Sequence, residues 1–231
     1  MQQRLPAIPA AVFILVFLGL GFWQLERLKW KEELLASIAT AQQAEPVDLN
    51  EHYALNFTVP DYQRVKVTGR FDHEHEFYFA SRVHDGQVGF HIVTPLTTPM
   101  GQTYLINRGW VPFDRQAPET RKEGQVAGEV TITGIARLPK PPSRWQPVND
   151  MPRNRWYGYD LSLMYVAANI QTQPLQFYIE ADAAPTPGGL PVGGVTRLEI
   201  PNNHLQYAIT WFSLAGLLGL MFAVSRLRRR A

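Results

Sequence analysis

Pro201-Asn202-Asn203-His204-Leu205-Gln206-Tyr207-Ala208-Ile209-Thr210-Trp211 opens an apolar stretch that is broken only at Arg226. Leu205 to Val224 is 20 residues long and carries no formal charge. At about 1.5 Å rise per residue, such a run spans roughly 30 Å, the thickness of a bilayer's hydrocarbon core. It reads as a membrane helix with a polar head, and the head holds an imidazole. Ionisable groups near hydrocarbon are costly and tend to be retained for function. His204 is therefore the first candidate functional residue.

The other end of the chain mirrors this one. Ala7 to Leu25 is 19 residues with Gln24 as its one polar member. The mean hydropathy of -0.17 averages these two ends with a polar middle. Ala39-Thr40-Ala41 fits a small-residue cleavage pattern, but it lies beyond a charged segment and far from the apolar run. An uncleaved anchor is expected. Two spans put both termini on one side of the membrane. Arg4 on one flank of the first span and Arg27, Lys29 and Lys31 on the other leave its direction open. Arg226, Arg228, Arg229 and Arg230 follow the second span, so both termini are expected to be cytoplasmic. Six residues precede the first apolar run, too few for a mitochondrial transit peptide. The expected setting is a bacterial inner membrane with a periplasmic central domain.

The organisation that follows is a first span over 7–25, a helical extension and linker over 26–45, and a β-rich domain over 46–200. A second span over 205–225 and a basic tail over 226–231 complete it. In the extension, Leu28, Leu35 and Ile38 share a helical side, Lys29 and Glu33 are an i,i+4 pair, and Pro46 closes the region. In the middle, Tyr62, Arg64, Lys66 and Thr68 alternate with Val65 and Val67, as in a half-buried strand. Glu76 to Ser81, Gly89 to Leu96, Thr103 to Asn107, Glu129 to Ala136 and Leu175 to Glu180 are further strands, rich in β-branched and aromatic residues. His84-Asp85-Gly86 and Pro99-Met100-Gly101 are turns between neighbours. Antiparallel strands at this spacing suggest a small barrel or sandwich. One short helix interrupts them, with Asp160 as N-cap and Leu161, Met164, Tyr165 and Ala168 on one face. The fold class expected is a membrane protein of α+β type, with two terminal spans flanking a barrel- or sandwich-like domain.

The chain has no cysteine, which excludes disulfides, thiolate zinc sites, iron–sulfur clusters and cysteine-based copper transfer. A net charge of +2 gives no argument for nucleic acid as a partner. There is no G-x-S-x-G elbow, no H-E-x-x-H and no glycine-rich phosphate loop, so a non-enzymatic role is expected. His73 and His75 would share a face in a strand, but two imidazoles without further donors make a poor metal site.

Three motifs then stand at telling places. Gly21-Phe22-Trp23-Gln24-Leu25-Glu26-Arg27 closes the first span. Asn107-Arg108-Gly109-Trp110-Val111-Pro112 lies at a strand end, and Asn202-Asn203-His204-Leu205-Gln206-Tyr207-Ala208-Ile209-Thr210-Trp211 heads the second span. In order, spacing and flanking spans they resemble the SURF1/Shy1 family along nearly the whole chain. The resemblance implies an assembly factor for haem–copper cytochrome c oxidase. Its partners would be oxidase subunit I, other assembly factors and the lipid bilayer. Bacterial members are proposed to bind haem a and to assist its insertion into subunit I. The alternative is a membrane-anchored scaffold that stabilises a subunit intermediate without touching haem.

Haem iron takes an axial donor such as His, Met, Cys or Tyr. Of the six histidines, His204 alone lies beside a span, and neutral imidazole is the form that ligates metal. The competing reading is an interfacial histidine bonded to water or a loop. Arg27 could grip a haem propionate in bidentate fashion, or sit as an ordinary cation among headgroups. Trp23, Tyr207 and Trp211 fit an aromatic belt or a stacking surface for a planar macrocycle. Tyr207 and Trp211 follow His204 at helical spacing. Arg108 and Trp110 read as a corner of the β domain with the arginine tied to loop carbonyls, or as a docking or propionate contact. Asn202 or Asn203 is expected to cap the helix. Ala215 with Gly219, and Gly19 with Gly21, offer thin sides for close packing of the spans. Such packing would bring Trp23, Gln24 and Arg27 near Asn203 and His204.

Overall fold

The apolar run from Ala7 does not stop where its hydrophobicity does, because Glu26 to Gln43 is dense in strong helix formers and holds neither Gly nor Pro. In a computed structural model of the chain, residues 7–51, 59–195 and 202–227 are described. Their elements are α1 (Ala7–Gln43), β1 (Val47–Asp48), β2 (Arg64–Phe71), β3 (Phe77–His84), β4 (Gln87–Thr97), β5 (Thr103–Pro112), β6 (Glu129–Arg137), β7 (Arg155–Trp156), α2 (Leu161–Ala167), β8 (Tyr178–Ala181) and α3 (His204–Leu227). The span and its extension are thus one helix, with Lys29 and Glu33 4.0 Å apart on its surface. The chain divides into a helical unit, residues 1–37 with 198–231, and a β unit, residues 38–197. Arg4 and Arg228 to Arg230 lie outside the described residues.

α1 and α3 are long and apolar enough to cross a membrane. Only 17% and 11% of their most apolar windows are buried, so the apolar surface faces outward. That suits lipid rather than the core of a soluble protein.

In the β unit, five strands close a ring in the order β2-β6-β8-β5-β4 and back to β2. Closure rests on two pairs, Arg70 with Thr97 and Phe71 with Leu96. β4 is long enough to pair with β3 over its first half and reach β2 with its second. Each strand of the ring sends residues into one core. Val65 and Val67 come from β2, Leu96 from β4, Tyr104 and Ile106 from β5, Ala136 from β6 and Ile179 from β8. The two-residue period places Leu105 on the opposite face. There it joins Phe77, Phe79, Trp156 and the Leu161, Met164, Tyr165 and Ala168 face of α2. The Asp160 side chain caps α2 by accepting from the Leu163 amide at 3.0 Å. Asp85 and Gly86, with φ of 47° and 78°, form the two-residue turn between β3 and β4.

The expectation of antiparallel pairing holds only in part. β1 pairs with β2, β7 with β3, and β8 with β5 in parallel. Parallel neighbours need long connections. Here β5 and β8 are separated by β6, β7 and α2, which carry the chain back to the same end. The segment around His73 and His75 is a 3-10 turn, not a strand. The Asp72 side chain accepts from the Glu74 amide and so favours a helical start over extension. The two imidazoles therefore do not share a strand face.

Candidate functional site

Two polar centres stand out, one in each unit. In the helical unit, α1 and α3 run antiparallel and meet along matching faces. Phe17 stacks on Trp211 with centroids 5.6 Å apart, and Phe22 meets Phe212 edge-on at 5.4 Å. Two helical turns beyond Phe17, and two before Trp211, His204 Nδ1 lies 2.7 Å from Gln24 Oε1. An amide oxygen only accepts, so the ring donates from Nδ1. Nε2 makes no bond among the described residues. Gln24 is 8% exposed and His204 half-buried, so the amide is the inner partner.

Of the residues named from the sequence, this contact unites Gln24 and His204. Trp211 faces α1 as well, against Phe17 rather than the imidazole. Tyr207 is 54% exposed and Trp23 is exposed too, so neither lies in the contact. The Arg27 guanidinium stacks over Trp30, 4.5 Å from the ring centroid. Asn203 stands at the N-cap position of α3, directly before His204. The Asn203 backbone carbonyl accepts from the Tyr207 amide, while Asn202 Oδ1 is buried with no partner among the described residues. Of the small residues expected to line the packing face, Gly21 and Ala215 do so and Gly19 and Gly219 do not. A side chain at Gly19 or Gly219 would meet nothing, whereas one at Gly21 would strike the Phe212 ring. Ala215 is buried, as a packing residue should be.

The second centre is the corner at Arg108. An extra residue enters β5 here, because Ile92 pairs with Gly109 and Val93 with Asn107. Arg108 is thus the bulged residue. Gly109 has φ 116°, and a Cβ there would collide with the Val192 carbonyl, so glycine is required. The bulge turns the Arg108 guanidinium inward. Its Nη2 donates to the Gly124 carbonyl and its Nη1 to Glu76 Oε1 at 3.3 Å. The group also lies over the Phe71 ring at 4.7 Å. Arg121 grips the same carboxylate with both terminal nitrogens, at 2.5 and 3.2 Å, and Gln125 donates at 3.1 Å. The side chains of Glu76 and Arg121 are each 1% exposed. His73 Nε2 donates to the Val126 carbonyl at 3.0 Å, and its Nδ1 faces Arg108 Nη1 at 3.4 Å and Glu76 Oε1 at 3.6 Å. Trp110 is buried and donates its indole N–H to the Arg82 carbonyl at 3.2 Å.

Burial alone would raise the Glu76 carboxyl. The adjoining His73 ring, the hydrogen bonds from Arg121 and Gln125 and the charge of Arg121 outweigh it and hold the group at about 2. Burial, aided by Arg121 and opposed by Glu76, lowers Arg108 to about 10. Both groups are ionised at neutral pH. The reading of Arg108 as a corner tied to a loop carbonyl matches its observed place. Glu76, Arg121 and His73 are additions that sequence spacing could not supply, since Arg121 lies 45 residues from its partner. Among the described residues, no group of three or more His, Asp or Glu is arranged to hold a metal ion.

A closed β-barrel unit continuous with two membrane-type helices, with a histidine–amide pair between those helices, defines a class of membrane-anchored barrel proteins. The chain belongs to the SURF1 family, whose model matches residues 11–216. It is 37% identical to Surfeit locus protein 1 of Mus musculus, over 99% of this chain and 76% of the mouse protein. The Homo sapiens protein of that name is 37% identical over 93% of this chain and 74% of its own length. A SURF1-like protein of Drosophila melanogaster is 34% identical over 90% of this chain and 71% of its own. These relatives are animal proteins and give no support to a bacterial source.

Proposed function

We propose that this protein is a non-catalytic assembly factor for haem–copper cytochrome c oxidase, and that it holds haem a for transfer to subunit I. The observation that carries this reading is the open Nε2 of His204, at the head of a span, with the opposite nitrogen engaged by Gln24 at 2.7 Å. Ligating histidines characteristically donate their other ring N–H to a fixed acceptor. The donor set therefore fits a haem iron, for which His204 would supply an axial bond. Trp23, Tyr207 and Trp211 would lie along the macrocycle, and Arg27 would swing from Trp30 to a propionate. The haem is cargo here, and its iron supplies the bond by which the protein retains it. The arginines that follow α3 in sequence support cytoplasmic termini, and the barrel would then lie on the other side of the membrane.

Purification from cells that make haem a tests the reading. Native protein should show a haem a absorbance spectrum, and His204→Ala should lose it. Unchanged haem content in the variant would sink the ligand assignment. A native protein devoid of haem, yet bound to subunit I, would favour the scaffold alternative.

A further inference from the structure

We infer that Gln24 is a positioning residue, which locks the His204 ring in its Nδ1–H tautomer and so selects Nε2 as the metal-binding nitrogen. A neutral imidazole carries one hydrogen and one lone pair, and the two nitrogens exchange these roles freely in water. Opposite an amide oxygen at 2.7 Å, only the Nδ1–H form makes the bond. The opposite tautomer would set two lone pairs against each other. Gln24 is held in place to do this. It is 8% exposed, on the face of α1 that carries Gly21 against Phe212 and Phe17 against Trp211. A buried amide oxygen without a donor is costly, so the same packing that buries Gln24 demands the hydrogen on Nδ1. The lone pair is left on Nε2, which has no partner among the described residues. Gln24 thus acts through His204 and does not itself touch the cargo. The ligand half of this inference rests on the proposed haem reading; the tautomer half stands without it.

Nitrogen-15 NMR of histidine-labelled full-length protein in lipid nanodiscs, free of haem, reads the tautomer directly. The His204 signals are assigned by their loss in His204→Ala. The native ring should show a protonated Nδ1 and a bare Nε2. Gln24→Glu keeps an acceptor and should keep that pattern. Gln24→Leu removes it and should release the ring to the mixed tautomers of free imidazole. Haem a titration should then show about 10–100-fold weaker binding for Gln24→Leu, the loss expected when an orienting partner is removed. Gln24→Glu should stay near native affinity. A native ring protonated on Nε2, or a pattern unchanged in Gln24→Leu, overturns the inference whether or not haem binds. The native spectrum decides this even where a variant fails to fold. Native protein that binds no haem sinks the proposed function and the ligand half with it, while the tautomer result is read independently.

Discussion

Glu76 in the barrel and His204 at the head of α3 are both polar groups drawn into apolar surroundings, but their bonding differs. Glu76 receives Arg108, Arg121 and Gln125, and Arg108 spends its other nitrogen on the Gly124 carbonyl. The cluster ties the entry to β3, the β5 bulge and the 118–124 turn together and leaves little to offer a ligand. His204 is bonded on one nitrogen and open on the other. A buried carboxylate bonded by three side chains helps specify a fold, whereas a half-satisfied group held rigidly on one side is suited to bind something. The N-R-G-W block and the N-N-H block are thus alike as sequence motifs and unlike as structures.

The largest effect should come from Glu76→Ala. It leaves two buried guanidinium groups without a carboxylate, and breaking such a network from one side costs about 3–5 kcal/mol. Urea unfolding of the detergent-solubilised protein, followed by near-UV circular dichroism of the barrel tryptophans, measures it. A loss below about 1 kcal/mol would show that the network is no keystone, since that is the range of an exposed ion pair. Acid should expose the same group. The Glu76 pKa lies at about 2 in the folded protein, against 4.5 for an unperturbed glutamate. Its contribution is therefore fully present above pH 4.5 and is lost as the pH falls toward 2. The shift corresponds to roughly 3 kcal/mol. Unfolding free energy should fall through that window in native protein and stay flatter in Glu76→Ala.

His204→Ala should behave in the opposite sense, with a small effect on stability and a large one on haem. It removes one hydrogen bond and leaves the Gln24 oxygen unpaired, which costs about 1–2 kcal/mol. Melting of the purified variant checks the first part, and its haem spectrum the second. A collapse of the fold would move His204 to the structural side of the comparison.

Much of this contrast was legible only on one side. The spans follow from hydropathy, and the Gln24–His204 approach follows from two polar interruptions at corresponding ends of an antiparallel pair. The Asp160 cap and the alternation around Val65 and Val67 are local signals, and both are realised. The Glu76 cluster has no local signal. It joins the residue before β3, the bulge of β5 and the turn at 118–125, which the chain brings together only after the barrel closes, and closure itself hangs on two residue pairs. The shared face that His73 and His75 would have in a strand is not formed, because the Asp72 carboxylate starts a turn there. The two-residue strands at Val47–Asp48 and Arg155–Trp156 are set by the strands they pair with, not by their own composition.

The smallest effects concern how the helices carry the open histidine. Gly21→Ala would drive a methyl group into the Phe212 ring. The ring can swing aside, so the loss is that of the Phe22–Phe212 edge contact, about 0.5–1.5 kcal/mol. Gly19→Ala and Gly219→Ala meet open space and should change stability by less than about 0.5 kcal/mol. Disulfide trapping between cysteines placed at Phe17 and Trp211 reports the pairing in membranes, and Gly21→Ala alone should slow it. If Gly219→Ala slowed it equally, α3 would meet α1 by a different face. The imidazole would then be turned away from Gln24, and the open nitrogen with it.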